Sequence, residues 1–424
     1  MHEFDFFAYL TPLVVLIFSL VIFYNAEAMK NSVAFVLVSL WAVAFLSHGV
    51  VSFYQIVPIY PSGLVANLFL SGAVLSLSWS FVFWRKVLSY ARGADYFNGG
   101  CHARELVPQV SNLILPISCF FSALVFLAMY MSAVRISGTY NVIGSLGAIR
   151  VALNYGGASW GGVDYFALPV LIIGIYLLVV ARENNSKSII YFIPAIFSIA
   201  ISVVSTQRSS IFMTLIAIAF SLSERETPKI KTIAVGAVVL TATFISMGLT
   251  VGKISGDDDG ILSAIEFGLN SMCLYFLTPI SAFNDSEIYW NSSADLGYSL
   301  RFPMVVLDAL GLYSGEISNK IQPFINVPMP TNVYTFGYIS ISDFGSLFPV
   351  YYFLLGAILA IIFSLPRRIV AFRVLQGISF YPVLMTVFQD QFAILTSLWI
   401  QVLVSVFICH LFTSYRPRHD RMPT

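Results

Sequence analysis

The sequence predicts an all-α protein that crosses a membrane many times. Three observations predict it. Hydrophobic residues make up 58% of the 424 residues and charged residues only 10%, where a soluble domain carries roughly 25% charged residues. The apolar residues gather into runs near the ~20 residues that one crossing needs. Lysine and arginine are divided unevenly between the segments that join those runs. Lipid cannot hydrogen-bond an open backbone, so each run is expected to be a helix. The net charge is +1 and no basic tract is present, which argues against a nucleic-acid partner.

In chain order the runs read as about eleven spans: 7–25, 33–53, 63–84, 111–134, 164–181, 188–204, 209–222, 232–251, 346–365, 374–389 and 393–412. The seventh and tenth are short, and Pro382 weakens the tenth further. The first is preceded by "MHEFD", which lacks the basic stretch of a cleavable signal. The whole of 1–424 therefore reads as one integral membrane domain.

Orientation follows the rule that basic residues stay on the cytoplasmic side. With the N-terminus outside and strict alternation, the inside segments hold 16 of the 22 basic residues, and each has at least one. Six remain outside: Arg135, Arg150, Arg208, Lys253, Arg301 and Lys320. This places the N-terminus in the periplasm and the C-terminus in the cytoplasm. Cys119 and Cys409 fall in spans and Cys101 inside, so only Cys273 could meet an oxidising compartment, and no disulfide framework or metal site is expected. His48 and His410 lie in spans and read as packing residues rather than catalysts.

Two outside segments are long, 135–163 and 252–345. Loops beyond about 15 residues are usually functional or disordered, and the second is too aromatic for disorder. Within it Ile261, Ile265, Leu269 and Met272 recur at helical spacing, which reads as an amphipathic helix lying on the membrane. Glu266 and Asn270 interrupt the run and argue against a twelfth span. The acidic turn "GDDDG" at 256–260 reads as solvated, because a nucleotide-sugar site would be needed on the cytoplasmic side.

Arg208 is the most unusual residue. From Ser188 to Leu222 is 35 residues, too few for two full crossings and a turn. The tip "STQRSS" should therefore sit below the outer surface, in a water-filled cavity. An arginine at membrane depth is a functional candidate unless it snorkels to headgroups. Ser205, Thr206, Gln207, Ser209 and Ser210 make that tip hydrogen-bonding throughout. Guanidinium suits a phosphate through two parallel bonds, with Arg135, Arg150 and Arg301 as further charges. Asp343, placed just before the ninth span, reads equally well as a general base or as the N-cap of that span.

"PTNVYTFGYISISDFGSLFPVYYFLLGAILAIIF", residues 330–363, resembles the late signature of the Wzy-type oligosaccharide repeat-unit (O-antigen) polymerases. Thr331, Asn332, Val333, Tyr334 and Thr335 are followed by Asp343, Phe344, Gly345 and Gly356. "STQRSSIFMTLIAIAF" is similar to the family's small-polar turn with an arginine, here Arg208. Arg150 and Gly161 match a third, weaker spacing. The resemblance covers about 188–222 and 328–365.

It implies the fold of the C-type membrane glycosyltransferases and a reaction at the periplasmic face of the bacterial inner membrane. A glycan on undecaprenyl diphosphate would be transferred to a sugar hydroxyl of another lipid-linked repeat unit, without a cofactor. The implied partners are the lipid-linked oligosaccharides, the bilayer and a chain-length regulator in the same membrane. Arg208 would hold the diphosphate with Arg150, Arg135 or Arg301. Asp343 or Glu266 would be the base, and Gln207, Asn332, Tyr334 and Trp160 would contact substrate. An O-antigen ligase and a lipid-linked oligosaccharide flippase are the alternatives. The "TNVYT…DFG" stretch favours polymerase over ligase, and the lack of internal repeats argues against a transporter.

Overall fold

The computed structural model describes residues 4–26, 32–92, 106–223, 260–290 and 296–417, apart from 112, 207, 316 and 318–321, together with scattered positions of 231–246. Helices dominate. In chain order they are α1 (Phe6–Asn25), α2 (Val33–Tyr54) and α3 (Leu64–Arg92), then strand β1 (Leu106–Val110), α4 (Ile114–Ser137), α5 (Leu146–Tyr155) and α6 (Ala167–Glu183). Next come α7 (Ile193–Val204), α8 (Arg208–Leu222), α9 (Gly260–Asp285), α10 (Arg301–Ala309) and the short strands β2 (Ile325–Asn326) and β3 (Pro330–Thr331). The chain ends with α11 (Phe336–Phe344), α12 (Phe348–Phe363), α13 (Val370–Leu384), α14 (Thr396–Leu411) and β4 (Thr413–Pro417).

Ten of the eleven expected spans fall on these helices, and the eighth, 232–251, lies largely outside the described residues. Among the described residues seven helices are long and apolar enough to cross a membrane. Four further apolar segments, Ile143–Leu153, Ile189–Val204, Ser209–Leu222 and Thr396–Leu411, are shorter. The protein is thus an all-α multi-pass membrane protein.

The chain divides into two compact units, each assembled from separate stretches of sequence. The first comprises Met1–Ala91, Asn270–Ser364 and Pro382–Ser397, and the second Arg92–Leu269, Leu365–Tyr381 and Leu398–Thr424.

The first unit is held by polar as well as apolar packing. Tyr9 Oη lies 2.9 Å from His48 Nδ1, and His48 Nε2 lies 2.9 Å from Ser281 Oγ. Ser281 donates its own hydrogen to the Tyr60 carbonyl at 2.6 Å. His48 Nε2 must therefore carry the proton, and Nδ1 accepts from Tyr9. Ser62 N donates back to Tyr9 Oη at 2.9 Å, and Trp41 Nε1 donates to Thr386 Oγ1 at 3.0 Å. A fully satisfied network of this kind fixes helix positions where lipid gives apolar faces little reason to associate. His48 is a packing residue, as its sequence setting implies.

The helix α9 runs on past the expected amphipathic positions, of which Ile265 and Leu269 are exposed. It is one 26-residue helix, and Leu277, Thr278, Ile280, Ser281, Ala282 and Phe283 near its C-terminal end are all buried. The apolar run after Cys273, together with the Ser281 hydroxyl, makes this end part of the core.

In the second unit Gly174 of α6 lies against α7, where an added Cβ would stand 2.8 Å from Ala195 N and Cα. Glycine lets these backbones approach. The segment after α4 folds back over it. Val142, Leu146, Ile149 and Trp160 join Val125, Met129 and Ala133 of α4, Val170 of α6, and Ile201 and Val204 of α7 in one buried cluster.

Loop contacts sort the ends of the second unit. β1 pairs antiparallel with β4, Asn184 Nδ2 donates to Pro108 O at 2.9 Å, and Arg373 pairs with Glu183. Arg367 donates to the carbonyls of Phe220 at 2.8 Å and Ser223 at 2.9 Å. These segments, 106–110, 183–184, 220–223, 367–373 and 413–417, are the ones that alternation puts on a single face. In the first unit Gly63 N donates to Asn284 Oδ1 at 2.8 Å, and Gln389 Nε2 reaches Gln322 Oε1 at 3.5 Å. Those segments belong to the opposite set.

Candidate functional site

Polar groups that the spans leave at the first unit's loop end converge on two carboxylates. Asp343 is near the C-terminal end of α11 and fully buried. Its Oδ1 accepts from Tyr298 N at 3.0 Å, and its Oδ2 accepts from Ser299 N at 2.6 Å and Ser299 Oγ at 2.5 Å. Its carbonyl accepts from Leu296 N at 3.1 Å. The side chain thus pins the turn that leads into α10, whose first residue is Arg301.

This corrects the N-cap expectation. The chain is already helical from Phe336, and Gly345, with φ of 52° and ψ of −130°, separates α11 from α12. That φ belongs to glycine. The next helix opens at Phe348 with no side-chain cap. The carboxylate serves a turn about 45 residues upstream in the chain instead.

Asp390 is the second carboxylate, in the loop between α13 and α14, and it is fully buried. Tyr351 donates to its Oδ2 at 2.6 Å, and Phe392 N and Ala393 N donate to its Oδ1 at 2.8 and 3.0 Å. Burial raises the acid to about 6 against the lowering of those bonds, and Asp343 adds to the rise. In sequence Asp390 lies between the tenth and eleventh expected spans and was not a candidate. Its signal was its position in "FQDQF", a polar break between two apolar segments.

The aromatic ring of Tyr334 is not an open platform. It is 2% exposed, stacks on Tyr338 at 4.2 Å between centroids, and donates its hydroxyl to Pro323 O at 3.0 Å. Trp160 is likewise 6% exposed within the apolar cluster of the second unit. Both rings face packing partners rather than an opening. Asn332 and Arg301 are half-buried in the first unit, so Arg301, Asn332, Tyr334 and Asp343 share that unit.

The second unit holds the other candidates. Arg135 is exposed in the last turn of α4, and its Nη2 donates to Ser159 O at 3.4 Å. Gly161, with φ of 67°, lies beside the same guanidinium, since a Cβ there would be 3.6 Å from Arg135 Nη2. Arg150 is half-buried on α5, whose Leu146 and Ile149 pack in the cluster that also takes Ile201 and Val204 of α7. Arg135, Arg150 and the α7–α8 tip therefore belong to one end of this unit. At the tip Ser205 and Thr206 are buried, Thr206 has φ of 57°, and Arg208 opens α8. Gln207, the side chain of Arg208 and the 256–259 acidic turn lie outside the described residues. Glu266 is exposed on α9.

Among the described residues no group of three or more His, Cys, Asp or Glu is placed to hold a metal ion. The chain matches no known family model, no curated protein and no solved structure in the comparisons made.

Proposed function

We propose that the protein is a polymerase of undecaprenyl-diphosphate-linked oligosaccharide repeat units, of the Wzy type. It would work at the periplasmic face of the bacterial inner membrane, N-terminus outside and C-terminus in the cytoplasm, beside a chain-length regulator. The length of the α7–α8 hairpin carries the reading. The inner end of α8 is fixed by Arg367, which holds the carbonyls of Phe220 and Ser223. From there its 15 residues rise by about 22 Å, and the 12 residues of α7 span about 18 Å. A hydrocarbon core is about 30 Å thick. The start of α8 therefore falls roughly 8 Å short of the far surface, which supports an arginine at the depth of a lipid-linked diphosphate.

In this reading Arg208, with Arg150 and Arg135 from the same end of the unit, stabilises the leaving diphosphate. The acceptor hydroxyl oxygen bonds to the anomeric carbon as the bond from that carbon to the diphosphate oxygen breaks. Asp343 enters as the residue that positions the turn before Arg301, because its oxygens already take three donors. Glu266, exposed on α9, is the remaining candidate base from the sequence.

The test is a deletion strain complemented with wild-type protein, Arg208→Ala and Arg208→Lys. Wild type should restore a ladder of chain lengths. The alanine variant should leave single repeat units with normal protein level, and lysine should rescue poorly because it lacks the fork. A normal ladder from Arg208→Ala would refute the role of Arg208. A deletion strain whose lipid A carries no glycan at all would point to a ligase instead.

A further inference from the structure

The first unit contains a line of side-chain amides that the reaction above leaves unused. Gln391 Nε2 donates to Gln389 Oε1 at 3.2 Å, and Gln389 Nε2 donates to Gln322 Oε1 at 3.5 Å. Each bond points the same way, so the line ends on the Nε2 of Gln322. Among the described residues that nitrogen has no hydrogen-bond partner, although Gln322 is only 1% exposed. Thr335 is in the same condition. It occupies the N-cap of α11, yet its hydroxyl makes no capping bond, is fully buried and has no partner among the described residues.

A buried polar atom left without a partner is costly, and folded proteins keep few of them. Here two are linked through the residues beside them in the chain. The Tyr334 hydroxyl bonds to Pro323 O, tying the residue before Thr335 to the residue after Gln322. Pro323 and Phe324 are exposed and Gln389 is half-buried, so the amides lie just beneath the surface. An amide nitrogen offers two N–H donors, and a threonine hydroxyl both donates and accepts. Both groups are neutral, which suits uncharged oxygens rather than a phosphate.

We propose that the Gln322 amide and the Thr335 hydroxyl form a subsite for the hydroxyl groups of one sugar ring of the lipid-linked oligosaccharide. Gln389 and Gln391 are positioning residues that turn the Gln322 nitrogen towards the ligand. The proposal rests on the polymerase reading and adds to it a place where the glycan, rather than its diphosphate, is recognised.

Thr335→Val removes its unpartnered hydroxyl and Gln322→Met the unpartnered nitrogen, at nearly constant volume; the second also removes the Oε1 that accepts from Gln389 at 3.5 Å. Purified protein is supplied with the lipid-linked repeat unit isolated from the deletion strain, and polymer formation and thermal unfolding are both measured. Each variant should raise the apparent KM by about tenfold, the equivalent of one lost hydrogen bond. The kcat of each should stay within about twofold of wild type, and the unfolding midpoint of Thr335→Val, which breaks no bond, should be unchanged or higher. Wild-type KM in both variants would overturn the subsite and leave the two groups to water. A lowered midpoint with activity lost in proportion to folded protein would make them structural and overturn it too. If wild type itself makes no polymer, the polymerase reading falls first and the subsite with it.

Discussion

Asp343→Asn should destabilise the protein, and the geometry sets the size of the loss. Both carboxylate oxygens face backbone donors, Oδ1 the N–H of Tyr298 and Oδ2 the N–H of Ser299. Whichever way an asparagine amide turns, its NH2 group meets one of those N–H groups head on. One charge-assisted bond is lost, a buried N–H is orphaned, and the remaining bonds weaken to neutral ones. The total is about 2–4 kcal/mol. Ser299→Ala removes only the hydroxyl bond at 2.5 Å and should lose about 1.5 kcal/mol, the low end for a bond to a charged group. Thermal unfolding of the purified protein in detergent should rank wild type above Ser299→Ala and that above Asp343→Asn. An Asp343→Asn midpoint indistinguishable from wild type would refute the anchoring role. The ranking also bears on function, because loss of polymer in this variant is explained by lost anchoring when the protein is less folded.

Other outcomes follow from neighbouring features. Asp390→Asn should act in the opposite sense. From its ordinary 3.8 the acid is raised to about 6, so between these values the folded protein holds a proton that the unfolded chain has shed. Stability should fall across that window by about 3 kcal/mol, and the asparagine variant should lack that part of the fall. Among the described residues Asp390 interacts with Tyr351, Tyr352, Asp343 and the N–H groups of Phe392 and Ala393. Parallel pH–stability curves for wild type and variant would contradict this. Gly174→Val should cost about 1–3 kcal/mol, because the new Cβ meets backbone atoms of Ala195 that cannot move aside alone, and normal thermal stability would refute the close packing. Single cysteines at 97 and 320 in a cysteine-free variant should react unequally with an impermeant reagent on spheroplasts. Labelling at 320 alone supports the orientation, and labelling at 97 alone reverses it.

The apolar helices were legible because lipid imposes a length and an apolar composition on every crossing; ten of the eleven expected runs lie on helices, and among the described residues seven helices are long and apolar enough to cross. The shortness of the Arg208 hairpin was legible for the same reason, since it follows from counting residues. What sequence could not show was the use of polar atoms. Arg367, Arg368 and Arg373 read as three equal cytoplasmic charges. In the fold Arg367 caps the end of α8 and Arg373 pairs with Glu183, while Arg368 alone of the three is exposed. Asp343 read as a base or a local cap, because a carboxylate shows the same letter whether its donors are three residues away or 45. Gln322 gave no signal at all, since its condition depends on Gln389 arriving from another stretch of chain. Composition and period thus specify which segments enter the membrane. The roles of the few polar groups at their ends are set by which segments meet, and that is where the candidate chemistry of this protein lies.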